Sequence, residues 1–339
     1  MAISVLFLFL VVRGLDPARF WENLRQANYQ WFLPASVFLV VSYALRAFRW
    51  RLLLDGQVGS LRAFSVINVG YLLNNVLPFR LSDVARAYLI SRGTPVGGAR
   101  GLSSVVVERV TDVLAVVILL AGVLAFALPP ALAGVGGGAL ASQIVGAGLT
   151  MTVAALAAFI LLTVAAVRPT LPLRTVTWGL RRVPRLNEQR ITGLVSQLLD
   201  GLSALSDWRR ILALFAWTAA IWGVSILADW AVARAFVAEA DLALGAFILA
   251  LTGLGVSLPS SPGQWGVFEA AAVLALQAFT VPQESAVAVA LTLHALGTVL
   301  SSALGALFLL REGESLLGIA DAVQRWIAHM RSSRAAPIS

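Results

Sequence analysis

Five stretches of this chain run for about twenty residues or more with few charges: Tyr29–Phe48, Leu102–Leu128, Leu140–Val167, Ile211–Phe236 and Ser285–Leu310. At a rise of 1.5 Å per residue, about 20 apolar residues cross the roughly 30 Å hydrocarbon core of a bilayer. Ala2–Val12 is also apolar but short, and reads as a clipped or tilted first helix. A cleaved signal peptide is the rival reading, but no basic n-region precedes this stretch and no small-residue cleavage site follows it. Only 12% of the 339 residues are charged, against roughly a quarter in a soluble domain. That leaves too little polar surface to cover a water-facing fold, and the same apolar content excludes disorder. The expected fold class is all-α, a polytopic helical membrane protein.

Loop charges set an expected orientation. The segment 168–210 carries eight Arg and is expected to be cytoplasmic, as is the tail from Arg311. The links 129–138 and 237–242 hold no basic residue and are expected outside. Arg13, Arg19 and Arg25 sit on the side this count makes external, the weak point of the assignment. Within the 168–210 loop, Ile191, Leu194, Leu198, Leu202 and Leu205 mark an amphipathic helix over Asn187–Ser206, expected to lie along the headgroups. The expected organisation is a membrane domain over residues 1–312 and a short cytoplasmic tail over 313–339, in the cell (plasma or inner) membrane.

Two apolar stretches are broken midway. Leu242–Leu258 gives way to Pro259-Ser260-Ser261-Pro262-Gly263 before Gln264–Phe279 resumes, and Phe64–Leu77 is separated from Phe79–Ser91 by Pro78. Proline and glycine cannot continue a helix there. Each break makes either a re-entrant hairpin or two short crossings, and both give the same loop parity. Hairpins entering from opposite sides are the pattern of inverted-repeat transporters, whose broken helices line a midplane site.

The charges inside these stretches are the candidate functional residues. Arg80, Asp83 and Arg86 stand at i, i+3 and i+6 after Asn74-Asn75 and Pro78, with surplus cation beside a broken helix end. Glu108, Arg109 and Asp112 fall in the first turns of the second span, with Glu108 and Asp112 on one face, and are expected to pair with Arg80 or Arg86. Glu269 is a lone acid after the second break, a proton carrier or an Arg partner. Asp229 and Arg234 read as interfacial, and Gly297, Ser301 and Gly305 as a packing stripe. All 25 basic residues are Arg, distributed among the loops rather than on one basic domain, so nucleic acid is not an expected partner. With no Cys and only His294 and His329, neither disulfide, thiol nucleophile nor metal cluster is expected. HExxH, GxSxG and GxxxxGK[ST] are absent, and no cofactor is expected.

Four runs of residues resemble the signatures of one family, the lysylphosphatidylglycerol synthetase transmembrane region, or flippase-like, family. They are Leu45-Arg46-Ala47-Phe48-Arg49-Trp50-Arg51-Leu52-Leu53-Leu54; Asn74-Asn75-Val76-Leu77-Pro78 with Arg80, Asp83 and Arg86; Val107-Glu108-Arg109-Val110-Thr111-Asp112; and Leu258-Pro259-Ser260-Ser261-Pro262-Gly263-Gln264-Trp265-Gly266-Val267-Phe268-Glu269. Their order and spacing agree over about residues 1–312, and Ser82 stands where a Gly commonly precedes the acid. The resemblance implies a plasma-membrane protein that moves lipids or lipid-linked intermediates between leaflets, aminoacylated phosphatidylglycerol in the fused members. The soluble aminoacyl-transferase domain of those members is not among these residues, so tRNA-dependent synthesis is not expected. The substrate-binding set it implies is Arg46, Asn74, Asn75, Pro78, Arg80, Asp83, Arg86, Glu108, Arg109, Asp112, Pro259, Ser261, Pro262, Gly263 and Glu269, with membrane lipids as partners (an anionic phospholipid or a lipid-linked sugar). An enzyme using Glu108 or Asp112 as base, and a scaffold for a partner glycosyl or aminoacyl transferase, are the alternatives. A homo-oligomer is compatible with either.

Overall fold

The structure is a computed structural model that describes residues 2–76, 82–127, 137–180, 188–257, 261–311 and parts of 315–325. Among the described residues it is entirely helical. In chain order the helices are α1 (Ala2–Val12), α2 (Pro17–Gln26), α3 (Phe32–Leu53), α4 (Ser60–Val76), α5 (Ser82–Ser91), α6 (Gly98–Phe126), α7 (Gly137–Val167), α8 (Thr170–Leu180), α9 (Glu188–Asp200), α10 (Trp208–Phe236), α11 (Leu242–Ser257), α12 (Val267–Ala278) and α13 (Gln283–Arg311). Four helical runs, Tyr29–Leu53, Gly98–Phe126, Trp208–Phe236 and Gln283–Arg311, are long and apolar enough to cross a bilayer. A fifth crossing is made if α7 and α8, which meet at 97°, count as one bent span. In each of the four apolar windows no more than 33% is buried inside the protein. Large side chains such as Phe126, Leu310 and Leu33 stand largely exposed on this surface. In water such a surface would aggregate, whereas in lipid it is the expected exterior. The chain is a multi-pass helical membrane protein.

The long helices overrun the sequence-derived spans, most of all at α3, which continues through Arg49 to Leu53 instead of stopping at Phe48. An Arg ends a lipid-facing helix but not one whose guanidinium is met by acids from a neighbour. The C-terminal end of α9 docks on α6, where a Cβ at Gly201 would sit 2.9 Å from the Arg100 Cα, and Leu202 and Leu205 beyond it are buried.

Two apolar cores lie at opposite ends of the bundle. One joins the C-terminal end of α3 and the N-terminal end of α6 to α4, α5 and the last turns of α13, through Trp50, Ile67, Leu73, Leu89, Val107 and Phe308. The other joins the N-terminal end of α3 and the far ends of α6 and α10 to α11, α12 and the first turns of α13, through Ala35, Val123, Val232, Phe247, Leu276 and Val289. So α3, α6, α10 and α13 run the length of the molecule, and each broken pair folds back on itself within one core. The breaks adjoin: a Cβ at Gly263, after the second break, would lie 3.5 Å from the Asn75 carbonyl oxygen, before the first.

Candidate functional site

Helical spacing brings the intramembrane charges together. α3 places Arg46 and Arg49 one turn apart, α6 places Glu108 and Asp112 one turn apart, and the two faces meet. Arg49 grips Asp112 with both terminal nitrogens, at 2.7 and 3.2 Å, and donates a further bond to the Thr218 hydroxyl of α10 at 3.1 Å. Arg86 on α5 grips Glu108 in the same two-pronged way, at 3.2 and 2.9 Å. Glu108 also faces Arg49 at 3.6 Å, and Arg46 lies 3.8 Å from Asp112. The result is a continuous chain of alternating charge, Arg46–Asp112–Arg49–Glu108–Arg86. Paired geometry of this kind is the condition under which buried ions are tolerated.

The surroundings lock the chain in place. The Arg86 guanidinium lies over the Trp50 ring at 4.4 Å, and the Trp50 indole N–H donates to Ser104 at 2.9 Å. Arg86 reaches Glu108 only because Gly70 of α4 leaves room: a Cβ there would stand 2.7 Å from the Arg86 Cγ. Arg49, Arg86 and Glu108 are at most 1% exposed, and the Nε atoms of both arginines lack a partner among the described residues.

Arg109 and Asp83 form a separate pair, at 2.6 and 3.1 Å, with their side chains 49% and 28% exposed. Four arginines therefore share three carboxylates, leaving one positive charge. Arg86 is the partner expected for Glu108, but Asp112 turns to Arg49 and Arg109 to Asp83. Pro78 and Arg80 lie outside the described residues, as does Pro259. Asn74 is half-buried at the end of α4, and Asn75 donates to Ser301 at 3.2 Å and Ser302 at 3.0 Å. Ser301 therefore holds the first break as well as packing α13.

The second break is built differently. Ser261 donates its backbone N–H to Ser4 at 3.2 Å, and Pro262–Gln264 forms a single 3-10 turn with Gly263 at φ +64°. Gly266, at φ +87°, starts α12, and its N–H donates to the Glu269 carboxylate at 2.6 Å. The other Glu269 oxygen meets His294 of α13, not an arginine: Nδ1 lies 2.5 Å from it, and Nε2 lies 2.8 Å from the Gly263 carbonyl. The Arg-partner alternative for Glu269 is thus replaced by a histidine.

Arg49, Trp50, Thr218 and His294 are the members that sequence reasoning missed as site residues. The available signals were the i, i+3 spacing of Arg49 from Arg46 and a histidine in the middle of an apolar span. Two surface hollows, of about 670 Å³ against α2 and about 310 Å³ between α3 and α10, lie away from both breaks.

No solved structure matches the chain. Glycosyltransferase AglD of Haloferax volcanii is 28% identical over 322 residues, which cover 86% of this chain and 50% of the relative. The chain thus spans about half the length of that curated relative. The model of the lysylphosphatidylglycerol synthase TM region matches residues 1–305, and with it come the four signature runs that line the charge network and the second break. The chain belongs to the lysylphosphatidylglycerol synthase TM region family.

Proposed function

We propose that this protein is a lipid translocase that moves an anionic phospholipid or lipid-linked intermediate between the leaflets of the cytoplasmic membrane. The observation that carries the reading is the division of the charge network into sealed and open parts. Arg49, Arg86 and Glu108 are buried and hold the helices, while Arg109–Asp83 is open on the same side of α6, beside the first break. A phosphate headgroup offers the Arg109 fork the same two-pronged acceptor as Asp83, and exchange there costs less than at the sealed pairs because both side chains keep contact with solvent. Arg46, only loosely held by Asp112, adds the surplus positive charge.

In this reading the α4–α5 and α11–α12 pairs are re-entrant hairpins dipping in from opposite leaflets, with the 168–210 loop and the C-terminus cytoplasmic. Asn74, Asn75, Pro78 and Arg80 on one side, with Pro259, Ser261, Pro262, Gly263 and Glu269 on the other, then border the headgroup path where the breaks adjoin.

The test is transport of fluorescent phosphatidylglycerol in proteoliposomes, read by protection from an impermeant quencher. Arg109→Ala should slow movement by about tenfold or more, as for loss of a charge-assisted contact near 1.4 kcal/mol. Transport by Arg109→Ala at the wild-type rate refutes the assignment.

The name of the Haloferax relative favours a second reading, in which the chain presents a lipid-linked sugar acceptor to a glycosyltransferase. That reading requires product to appear only when a transferase is added, and headgroup movement to be absent without one.

A further inference from the structure

The two hydrogen bonds to the His294 ring fix how many protons that site holds. Nε2 lies 2.8 Å from the Gly263 carbonyl oxygen, which can only accept, so Nε2 carries a hydrogen. Nδ1 then lies 2.5 Å from a Glu269 oxygen, and one proton must sit between them. It belongs either to an imidazolium facing a carboxylate or to a carboxylic acid facing a neutral ring, and the total charge is the same in both. The second Glu269 oxygen is already committed to the Gly266 N–H at 2.6 Å.

Removing that proton leaves a nitrogen lone pair pointed at a carboxylate. The ring relieves this only by moving its remaining hydrogen to Nδ1, which releases the Gly263 carbonyl, or by turning away from both partners. The Trp265 and Phe268 rings, with centroids 4.2 and 4.7 Å from that of His294, cover the imidazole, and Glu269 is fully buried. Asp83, Glu108 and Asp112 have no such freedom, since an arginine holds each of them.

We infer that Glu269 and His294 form a proton-binding site that latches the Pro262–Gln264 turn to α13, and that loss of the proton opens the latch. This goes beyond the lipid reading and does not depend on it.

Other titratable groups stand on the helices packed against α13. They are Tyr43, Arg46, Arg49 and Arg51 on α3, Arg62 and Tyr71 on α4, Arg209, Arg210, Asp229 and Arg234 on α10, and Arg19, Glu22 and Arg25 on α2. Tyr43 reaches α13 through the Gly297 carbonyl at 3.3 Å. Among the titratable groups of the described residues, Glu269 alone lies within ion-pair or hydrogen-bond distance of the imidazole.

The experiment uses the full chain in lipid nanodiscs, labelled with 15N-histidine and carrying His329→Gln so that His294 gives the only imidazole signals. Hydrogen exchange of the amides over 261–266, corrected for intrinsic rates, is followed between about pH 4 and pH 10. Nε2–H should persist at low pH and be lost in one step as the pH rises. The turn amides should speed up at the same midpoint by about three- to tenfold, the loss of one buried hydrogen bond. Glu269→Gln, whose carboxamide can donate to Nδ1 and accept from Gly266, should retain Nε2–H and slow exchange throughout.

The inference is overturned if Nε2 is bare while the turn is protected, if the two wild-type midpoints differ, or if no step occurs in that range. A step retained in Glu269→Gln overturns it as well. Should that variant fail to fold, the two wild-type midpoints decide alone. None of these readouts involves lipid movement, so this inference and the translocase reading can fail separately.

Discussion

Glu108→Gln is the sharpest test of how the charge network is held. The carboxylate neutralises two arginines at once, Arg86 through bonds of 3.2 and 2.9 Å and Arg49 at 3.6 Å. At an effective dielectric of about 20, each of these contacts is worth about 5 kcal/mol before desolvation is counted. A carboxamide keeps one acceptor for Arg86 but turns its NH2 toward the second guanidinium nitrogen, leaving Arg49 with Asp112 alone and Arg86 without a paired acid. Removing one partner of a buried pair costs about 3–5 kcal/mol, because the remaining charge stays desolvated. Asp83→Asn removes a carboxylate with the same two-pronged geometry, but from a pair whose side chains are 49% and 28% exposed, where the loss should be about 1 kcal/mol or less. Unfolding of detergent-solubilised protein, followed by the fluorescence of its ten tryptophans, compares the two. If Glu108→Gln is no more destabilising than Asp83→Asn, the sealed and open parts of the network are not energetically distinct and the reasoning fails.

Three further outcomes follow from close contacts. Gly305→Ala should destabilise by about 1–3 kcal/mol, because its Cβ would stand 2.5 Å from the Asn68 carbonyl oxygen, whereas Gly297→Ala on the same helix meets nothing within 4 Å. Gly297→Ala should therefore be neutral or stabilising by up to about 1 kcal/mol, and equal unfolding midpoints for the two variants would contradict the packing of α13 on α4. Gly266→Ala forces a side chain into a φ of +87° and onto the Ser4 backbone, so α1 should detach and proteolysis before Pro17 should accelerate with the rest of the chain intact. Asn75→Ala and the double variant Ser301→Ala/Ser302→Ala should each lose stability, with a coupling of about 1 kcal/mol in a double-mutant cycle. A coupling of zero would remove α13 from the support of the first break.

The membrane class was legible because hydropathy and span length act along the chain. The family was legible because its signatures keep their order, and the match over residues 1–305 agrees with the resemblance read from them. Partner choice was much less legible. Nothing local to Arg49 shows that α6 brings Asp112 to it across 63 residues. Two distant histidines make no metal cluster, and nothing local pairs His294 with Glu269, 25 residues earlier in the sequence. Ser301 fitted a small-residue stripe, and only the fold shows Asn75 reaching it from 226 residues away. The amphipathic spacing of α9 identified a helix with one apolar face, but the same spacing serves a headgroup layer or a protein neighbour. The contact at Gly201 shows that the end of the helix meets a protein neighbour.

One helix grips both broken segments. His294 holds the turn after the second break, and Ser301, seven positions further along α13, holds Asn75 before the first. Those seven positions are close to two full turns, about 10.5 Å of rise, so both handles point from one side of a rigid rod. The two segments are geared to a common shaft: sliding or rolling α13 displaces both handles together, in a fixed ratio. A single residue inserted between the handles would turn one against the other by about 100°, and no position of the rod could then engage both.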